Sequence, residues 1–358
     1  MLGLYNIGIR HLQNLSKHSL FCHCRFNIIS ISAYRVSALC NSRHFTYYNM
    51  LSGIIKAKDR VMGNPQTANN KPSQKKKPEP VKTVYRSNDV TIPDDFLRSD
   101  PADAQPITHE PIDFQNSVLP EYRGCYAVVL DNVLSPSECA RLLELAEASV
   151  MDEDKQDGSS WGAALVNIGG GFEVEIPDYR KSSRIIWDNQ EIVDRLWERM
   201  AAVPEIKEKL STVPGLSIST HVQKIDYDFY RVNKRLRFLK YVPGEFFKPH
   251  CDGPYGEQTP EGYRVQTYMT VHLYLNDSQQ VVGPGVDLVG GATSFLSRDD
   301  SRRIDVDPKA GRVLIFQHSR LRHCGDDVKA GTKYTVRTDI MYKMTMSEDQ
   351  SSGETHMA

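Results

Sequence analysis

The sequence predicts a mainly β domain with flanking helices: a double-stranded β-helix (a cupin-like jelly roll) braced by helices that precede it. Three observations lead there. Apolar residues keep helical spacing up to about residue 202 and then switch to a period of two from Leu236 onward; the first period marks helices, the second strands. Gly- and Pro-rich turns, at Val242-Pro243-Gly244, Gly283-Pro284-Gly285 and Lys309-Ala310-Gly311, cut the second half into short segments. Helices first and many short strands after them is the order of a double-sheet fold with appended helices, not of alternating β and α units.

The elements follow in chain order. Residues 1–58 contain no Asp or Glu and carry Arg10, Lys17, Arg25, Arg35, Arg43, Lys56 and Lys58 among Ser and apolar residues. A disordered basic N-terminus is expected, either an organelle transit peptide or an extension upstream of a true start at Met50. Residues 59–118 read as a disordered linker, because Lys71-Pro72-Ser73-Gln74-Lys75-Lys76-Lys77-Pro78-Glu79-Pro80 has nothing to bury. The folded domain is expected over 119–345. Tyr126–Leu130 reads as a strand. Ser135-Pro136-Ser137-Glu138 opens a helix, with Ser135 as N-cap, Pro136 in the first turn and Glu138 closing a capping box. A second helix fits 188–202, where Ile192, Leu196 and Met200 recur every four residues. Strands are expected at 236–242, 246–250, 266–275, 292–295, 312–316 and 333–342. The tail 346–358 is polar and expected to be disordered.

Composition narrows the function. With 44 Lys and Arg against 45 Asp and Glu the net charge is −1, and no basic stripe with interleaved aromatics asks for nucleic acid. No apolar run of about 18 residues exists, so no membrane span is expected. Seven cysteines at irregular spacing favour reduced thiols inside the cell. The expected location is the cytoplasm, or the mitochondrion if the basic N-terminus is a transit peptide. Cys22-His23-Cys24 lacks a second half with zinc-finger spacing.

The chemistry concentrates at His250-Cys251-Asp252. Side chains two apart share one face of a strand, so His250 and Asp252 can reach one ion. A distant His completes a two-His-one-carboxylate set, which binds Fe(II) and leaves coordination positions open. Two candidates follow the apolar run Arg312–Phe316: His318 and His323. His323 is favoured because Lys333 follows it by ten residues. Lys333 and Arg337 share a face of the last strand, and two inward cations need an anion to pair with. Cys251 and Cys324, next to two of these residues, alternate away from the ion and are expected to be small core residues.

Five segments in order carry a resemblance. Tyr241-Val242-Pro243-Gly244-Glu245-Phe246-Phe247-Lys248-Pro249-His250-Cys251-Asp252 is the first. Thr270-Val271-His272-Leu273-Tyr274-Leu275-Asn276-Asp277, Gly290-Gly291-Ala292-Thr293-Ser294-Phe295 and Pro308–Phe316 follow, and His323 with Lys333 is the last. Over about 120–345 the chain resembles the catalytic domain of prolyl 4-hydroxylase-type 2-oxoglutarate/Fe(II) dioxygenases. The resemblance implies Fe(II) on His250, Asp252 and His323, and 2-oxoglutarate held by Tyr241 and Lys333. Arg337 is expected either to assist the co-substrate carboxylate or to pair with Asp339. It also implies O2 as oxidant, ascorbate to keep the iron reduced, and hydroxylation of a small molecule or a protein side chain with release of succinate and CO2. Retention of Asp252 favours hydroxylation over halogenation. The collagen-type enzymes of the family carry a basic substrate-binding residue where this chain has Thr267, with Arg264 three further back; peptidyl proline is therefore one of several substrates to weigh, beside other amino acids and small metabolites. The competing reading is a jelly roll that binds a metal or ligand and turns nothing over.

Overall fold

The segments of period two pair as antiparallel strands in two sheets. This is seen in a computed structural model, in which residues 79–214 and 223–348 are described. These belong to one compact unit spanning 73–358. The basic N-terminus, the lysine run at 71–77 and the end of the tail lie outside the described residues.

The larger sheet runs in the order Thr108–Pro111, Ala127–Asp131, Val313–Gln317, Arg264–Tyr274, Lys333–Glu348, Arg235–Tyr241, Ser183–Asp188 and Gly162–Ala163. The smaller runs Arg303–Val306, Thr293–Leu296, His323–Gly325, Phe246–His250 and Arg180–Lys181. Alternation decides what each strand of the larger sheet offers. Met269, Val271, Leu273, Val313, Ile315, Val336 and Ile340 point to one side, into a core shared with the helices Pro136–Ala148 and Gln190–Ala201. Tyr274, Leu314 and Phe316 point to the other side and pack on Phe295 and Val306 of the smaller sheet. Thr270, Lys333, Arg337 and Asp339 follow the same parity. One parity thus builds the brace, and the other faces the gap between the sheets.

The helices form for local reasons. The Ser135 hydroxyl accepts from the Glu138 amide and the Glu138 carboxylate from the Ser135 amide, so the capping box is closed. In the second helix Asn189 caps the Ile192 amide at 2.9 Å, and the helix starts at Gln190, two residues later than expected, because Asp188 is the last residue of a strand. Ser183–Asp188, Gln223–Val232 and the helix Pro204–Ser211 were not expected. Gly311 sits at φ +74° with its backbone pressed on Leu134; an added Cβ would lie 1.8 Å from that carbonyl oxygen, which explains the turn glycine there.

Two boundaries need correction. The stretch 79–118 is not a free linker: Phe96, Leu97 and Phe114 are buried, and Thr108–Pro111 pairs with Ala127–Asp131. The helix Gln190–Ala201 holds it by arginine. Arg195 donates to the carbonyls of Pro93 (2.9 Å) and Phe96 (2.5 Å), and Arg199 to those of Leu97 (3.0 Å) and Ser99 (2.9 Å). In the sequence these arginines look like a solvated helix face. The tail also starts later than expected, since the last strand pairs with Gln223–Val232 as far as Glu348. Truncation to residue 110 is therefore expected to destabilise the domain by several kcal/mol, since losing one large buried side chain costs about 3–5 kcal/mol. Truncation to residue 78 should cost far less; denaturant melts of the two shortened chains would decide.

Candidate active site

The smaller sheet brings the two histidines together. His250 ends one strand, His323 begins its neighbour, and the two are Cα partners in the antiparallel register. Their ring centroids lie 4.4 Å apart. Asp252 follows two residues after His250, with its carboxylate between the rings: Oδ1 is 3.6 Å from His250 Nε2 and Oδ2 is 3.7 Å from His323 Nε2. One ligand atom from each of the three lies within 4.8 Å of the others. His318 goes elsewhere, with Nε2 at 3.3 Å from Asp339 Oδ1.

This donor set fits a divalent metal. His250 Nδ1 lies 2.8 Å from the Lys248 carbonyl and His323 Nδ1 lies 3.0 Å from the Leu321 carbonyl. A proton on each Nδ1 makes those contacts hydrogen bonds and leaves both Nε2 lone pairs for an ion. Burial drives the His323 pKa down to about 3, so its ring is neutral and ready to ligate. Burial would raise the pKa of Asp252, but Arg337, His323 and His250 outweigh it and hold the carboxyl well below the ordinary range.

The larger sheet supplies the cations. Tyr241 and Lys333 are Cα partners on adjacent strands. Lys333 is 2% exposed, its Nζ lies 5.2 Å from the Tyr241 ring and 5.6 Å from the Tyr274 ring, and among the described residues it has no ion-pair partner. Burial lowers its pKa to about 8. Asp326 and Asp307 act on it from beyond ion-pair distance, and a buried ammonium without a paired carboxylate is costly unless an anion joins it. Gly291, at φ +75°, keeps the space open, since a Cβ there would stand 3.0 Å from Lys333 Cδ.

Arg337 pairs with Asp339 at 3.1 Å, as one of the two expectations had it, and also with Asp252 at 2.9 Å. Thr270 donates to Asp252 Oδ2 at 2.6 Å. Asp339, which Arg237 reaches at 2.9 Å, closes the network. Arg337 thus acts on the Asp252 carboxylate. Outer-sphere partners of this kind change metal affinity by about 10–100-fold, so Arg337→Met should weaken Fe(II) binding by that order in an anaerobic titration.

Several residues of the site carried no role in the sequence reading. Thr270 and His272 are polar positions on the gap-facing side of a strand whose other side is apolar, a signal that alternation could have exposed. Burial, together with Lys333 and Arg337, keeps His272 neutral, its pKa well below the ordinary value, and its Nε2 is buried without a hydrogen-bond partner. Arg180 and Tyr179 come from a distant segment and had no signal at all. Cys324 is buried as expected, with Sγ 3.2 Å from Asp326 Oδ1. Cys251 is exposed, not a core residue, because the chain leaves its strand at His250.

Residues 236–338 match the family model of the 2OG-Fe(II) oxygenase superfamily. The matched residues belong to that superfamily. This oxygenase is a 2-oxoglutarate-dependent dioxygenase, and membership brings Fe(II), 2-oxoglutarate and O2 with it. The matched span contains every residue of the expected site. No curated protein matches the sequence significantly. Similar solved structures include a viral collagen prolyl hydroxylase from Paramecium Bursaria Chlorella virus-1 in complex with 2OG (20% identity, 61% of this chain and 97% of that one, TM-score 0.36). Others are a prolyl hydroxylase from Trichoplax adhaerens with a hypoxia inducible factor peptide fragment (15%, 63% and 88%, 0.40) and a Pseudomonas putida prolyl-4-hydroxylase (14%, 62% and 94%, 0.37). No helix among the described residues is long and apolar enough to cross a membrane.

Proposed function

We propose that the oxygenase hydroxylates a carbon of a small molecule or of a protein side chain, releasing succinate and CO2. His250, Asp252 and His323 would hold Fe(II), and Tyr241 and Lys333 the far carboxylate of 2-oxoglutarate. Bound iron, with 2-oxoglutarate and O2, supplies the oxidising power that an unactivated C–H bond demands. The chain's own part is orientation. The two carbonyls behind the histidines hold the rings in place, Thr270 and Arg337 keep Asp252 ionised and aimed, and Lys333 sets which end of the dicarboxylate points at the metal. Ascorbate would keep the iron ferrous between turnovers.

The observation that carries this reading is Lys333, a buried ammonium with no ion-pair partner among the described residues, facing Tyr241 beside a two-His-one-carboxylate cluster. A site that only stored metal would have no use for it. The test is anaerobic titration of the Fe(II)-loaded protein with 2-oxoglutarate, followed by admission of O2. The expected result is the visible metal-to-ligand charge-transfer band of a chelated oxo-acid, then its decay with formation of succinate. A colourless mixture that forms no succinate would rule the reading out.

A further inference from the structure

The cations around Asp252 outnumber the anions. Arg180, Arg237, Lys333 and Arg337 stand against Asp252 and Asp339. Asp326 and Asp307 also act on Lys333; Asp326 is committed to Arg303, and counting Asp307 still leaves the cations in excess. On the reading above, Fe(II) adds two positive charges and the 2-oxoglutarate dianion two negative ones. The surplus of positive charge survives loading.

Arg180 is the cation that loading leaves unmatched. It lies on Arg180–Lys181, the edge strand beside Phe246–His250, and is the Cα partner of Phe247. Its Cζ lies 4.7 Å over the Phe247 ring, and that ring stacks on His250 at 3.8 Å. One ring thus separates the guanidinium from a proposed iron ligand. Its Nε–H donates to Ser182 Oγ at 3.3 Å, and among the described residues it forms no ion pair. Burial pushes its pKa below the usual value, with Arg337 as a like charge nearby and the Tyr241 hydroxyl as a neutral hydrogen-bonding neighbour. Arg337 and Arg237 are matched by aspartates, and Lys333 by the co-substrate. A guanidinium fixed on an aromatic face presents a planar fork that suits a carboxylate.

We propose that Arg180 is a substrate-binding residue and that the substrate carries a carboxylate close to the carbon that is hydroxylated. The proposal rests on the functional reading above and names the substrate class for the same site. The carboxylate has two sources, the α-carboxylate of a free amino acid or an acidic side chain in a peptide.

The test uses the full chain loaded with Fe(II) under anaerobic conditions, with acetate as the carboxylate probe and chloride at equal ionic strength as control. Saturating 2-oxoglutarate should raise the melting temperature of wild type, Arg180→Gln and Arg180→Lys alike. Acetate should then raise that of the wild type further and saturably, that of Arg180→Lys in part, and that of Arg180→Gln not at all. No acetate effect on the wild type, or an equal effect on Arg180→Gln, overturns the proposal. A 2-oxoglutarate effect lost only in Arg180→Gln also overturns it, by making Arg180 a co-substrate residue. Absence of the 2-oxoglutarate effect in all three proteins removes the functional reading itself, and this inference with it. The source is then separated by acceleration of succinate release, with twenty free amino acids in one arm and acidic ten-residue peptides in the other. Acceleration by either class should fall about 30-fold or more in kcat/KM in Arg180→Gln. Acceleration by neither arm, or acceleration that Arg180→Gln leaves intact, overturns the assignment.

Discussion

His323→Ala is expected to abolish 2-oxoglutarate turnover, while His318→Ala retains it. Both histidines follow the same apolar strand, and both are almost fully buried, at 5% and 3% exposure. They differ in what their Nε2 atoms meet. His323 Nε2 faces Asp252 at 3.7 Å, on the side where His250 Nε2 also points. His318 Nε2 faces Asp339, which Arg237 and Arg337 already hold. Loss of a supporting residue costs a metal site about 10–100-fold. Loss of one of three ligands should exceed that, so Fe(II) affinity and succinate formation should both fall by more than about 100-fold in His323→Ala. The cost of His318→Ala should appear in stability, because a buried acid loses one of three neighbours. Anaerobic iron titration and a succinate assay on the two variants decide the matter. Iron binding intact in His323→Ala and lost in His318→Ala would reverse the assignment.

Lys333→Ala should raise the KM for 2-oxoglutarate by about 30-fold to several thousand-fold, the usual range when one partner of a desolvated charge pair is removed. The effect on kcat should be smaller, because the lysine would hold the end of the dicarboxylate remote from the reacting carbon. The wild type should also show a pH dependence whose sign follows from burial. The free enzyme's lysine is charged below about pH 8 and neutral above it. A bound dianion favours the charged form, so binding must take up a proton at high pH. The KM for 2-oxoglutarate should therefore be flat below about pH 8 and rise above it, approaching tenfold per pH unit. Lys333→Arg, with a guanidinium that stays charged, should flatten the rise even if its affinity is poorer. A wild-type KM independent of pH between 7 and 10 would show that Lys333 does not hold the co-substrate.

Much of this molecule was legible before any coordinates. A period of two needs no tertiary information, because alternation is a property of the extended backbone. It was enough to place the main strands, to put Lys333 and Arg337 on one face, and to pair His250 with Asp252. The capping box at Ser135 was equally local. What escaped the sequence shares one cause: it depends on partners far along the chain. The arginines at 195 and 199 look like solvated charge until the carbonyls of residues 93–99 come to meet them. Ser183–Asp188 is a strand because Arg235–Tyr241 lies beside it. Arg180 joins the site because its short strand pairs with Phe246–His250.

Taken alone, the sequence determined the chemistry that the chain can offer: two imidazoles and a carboxylate at fixed spacing, a lysine ten residues on, and strands that present them at known parity. The tertiary structure decided which histidine faces Asp252, that Arg337 reaches that carboxylate, and that a distant guanidinium stands over Phe247. The physical reason is that parity along a strand is set within a few residues, whereas the distance between two side chains is set by the register of strands that meet only when the sheets close.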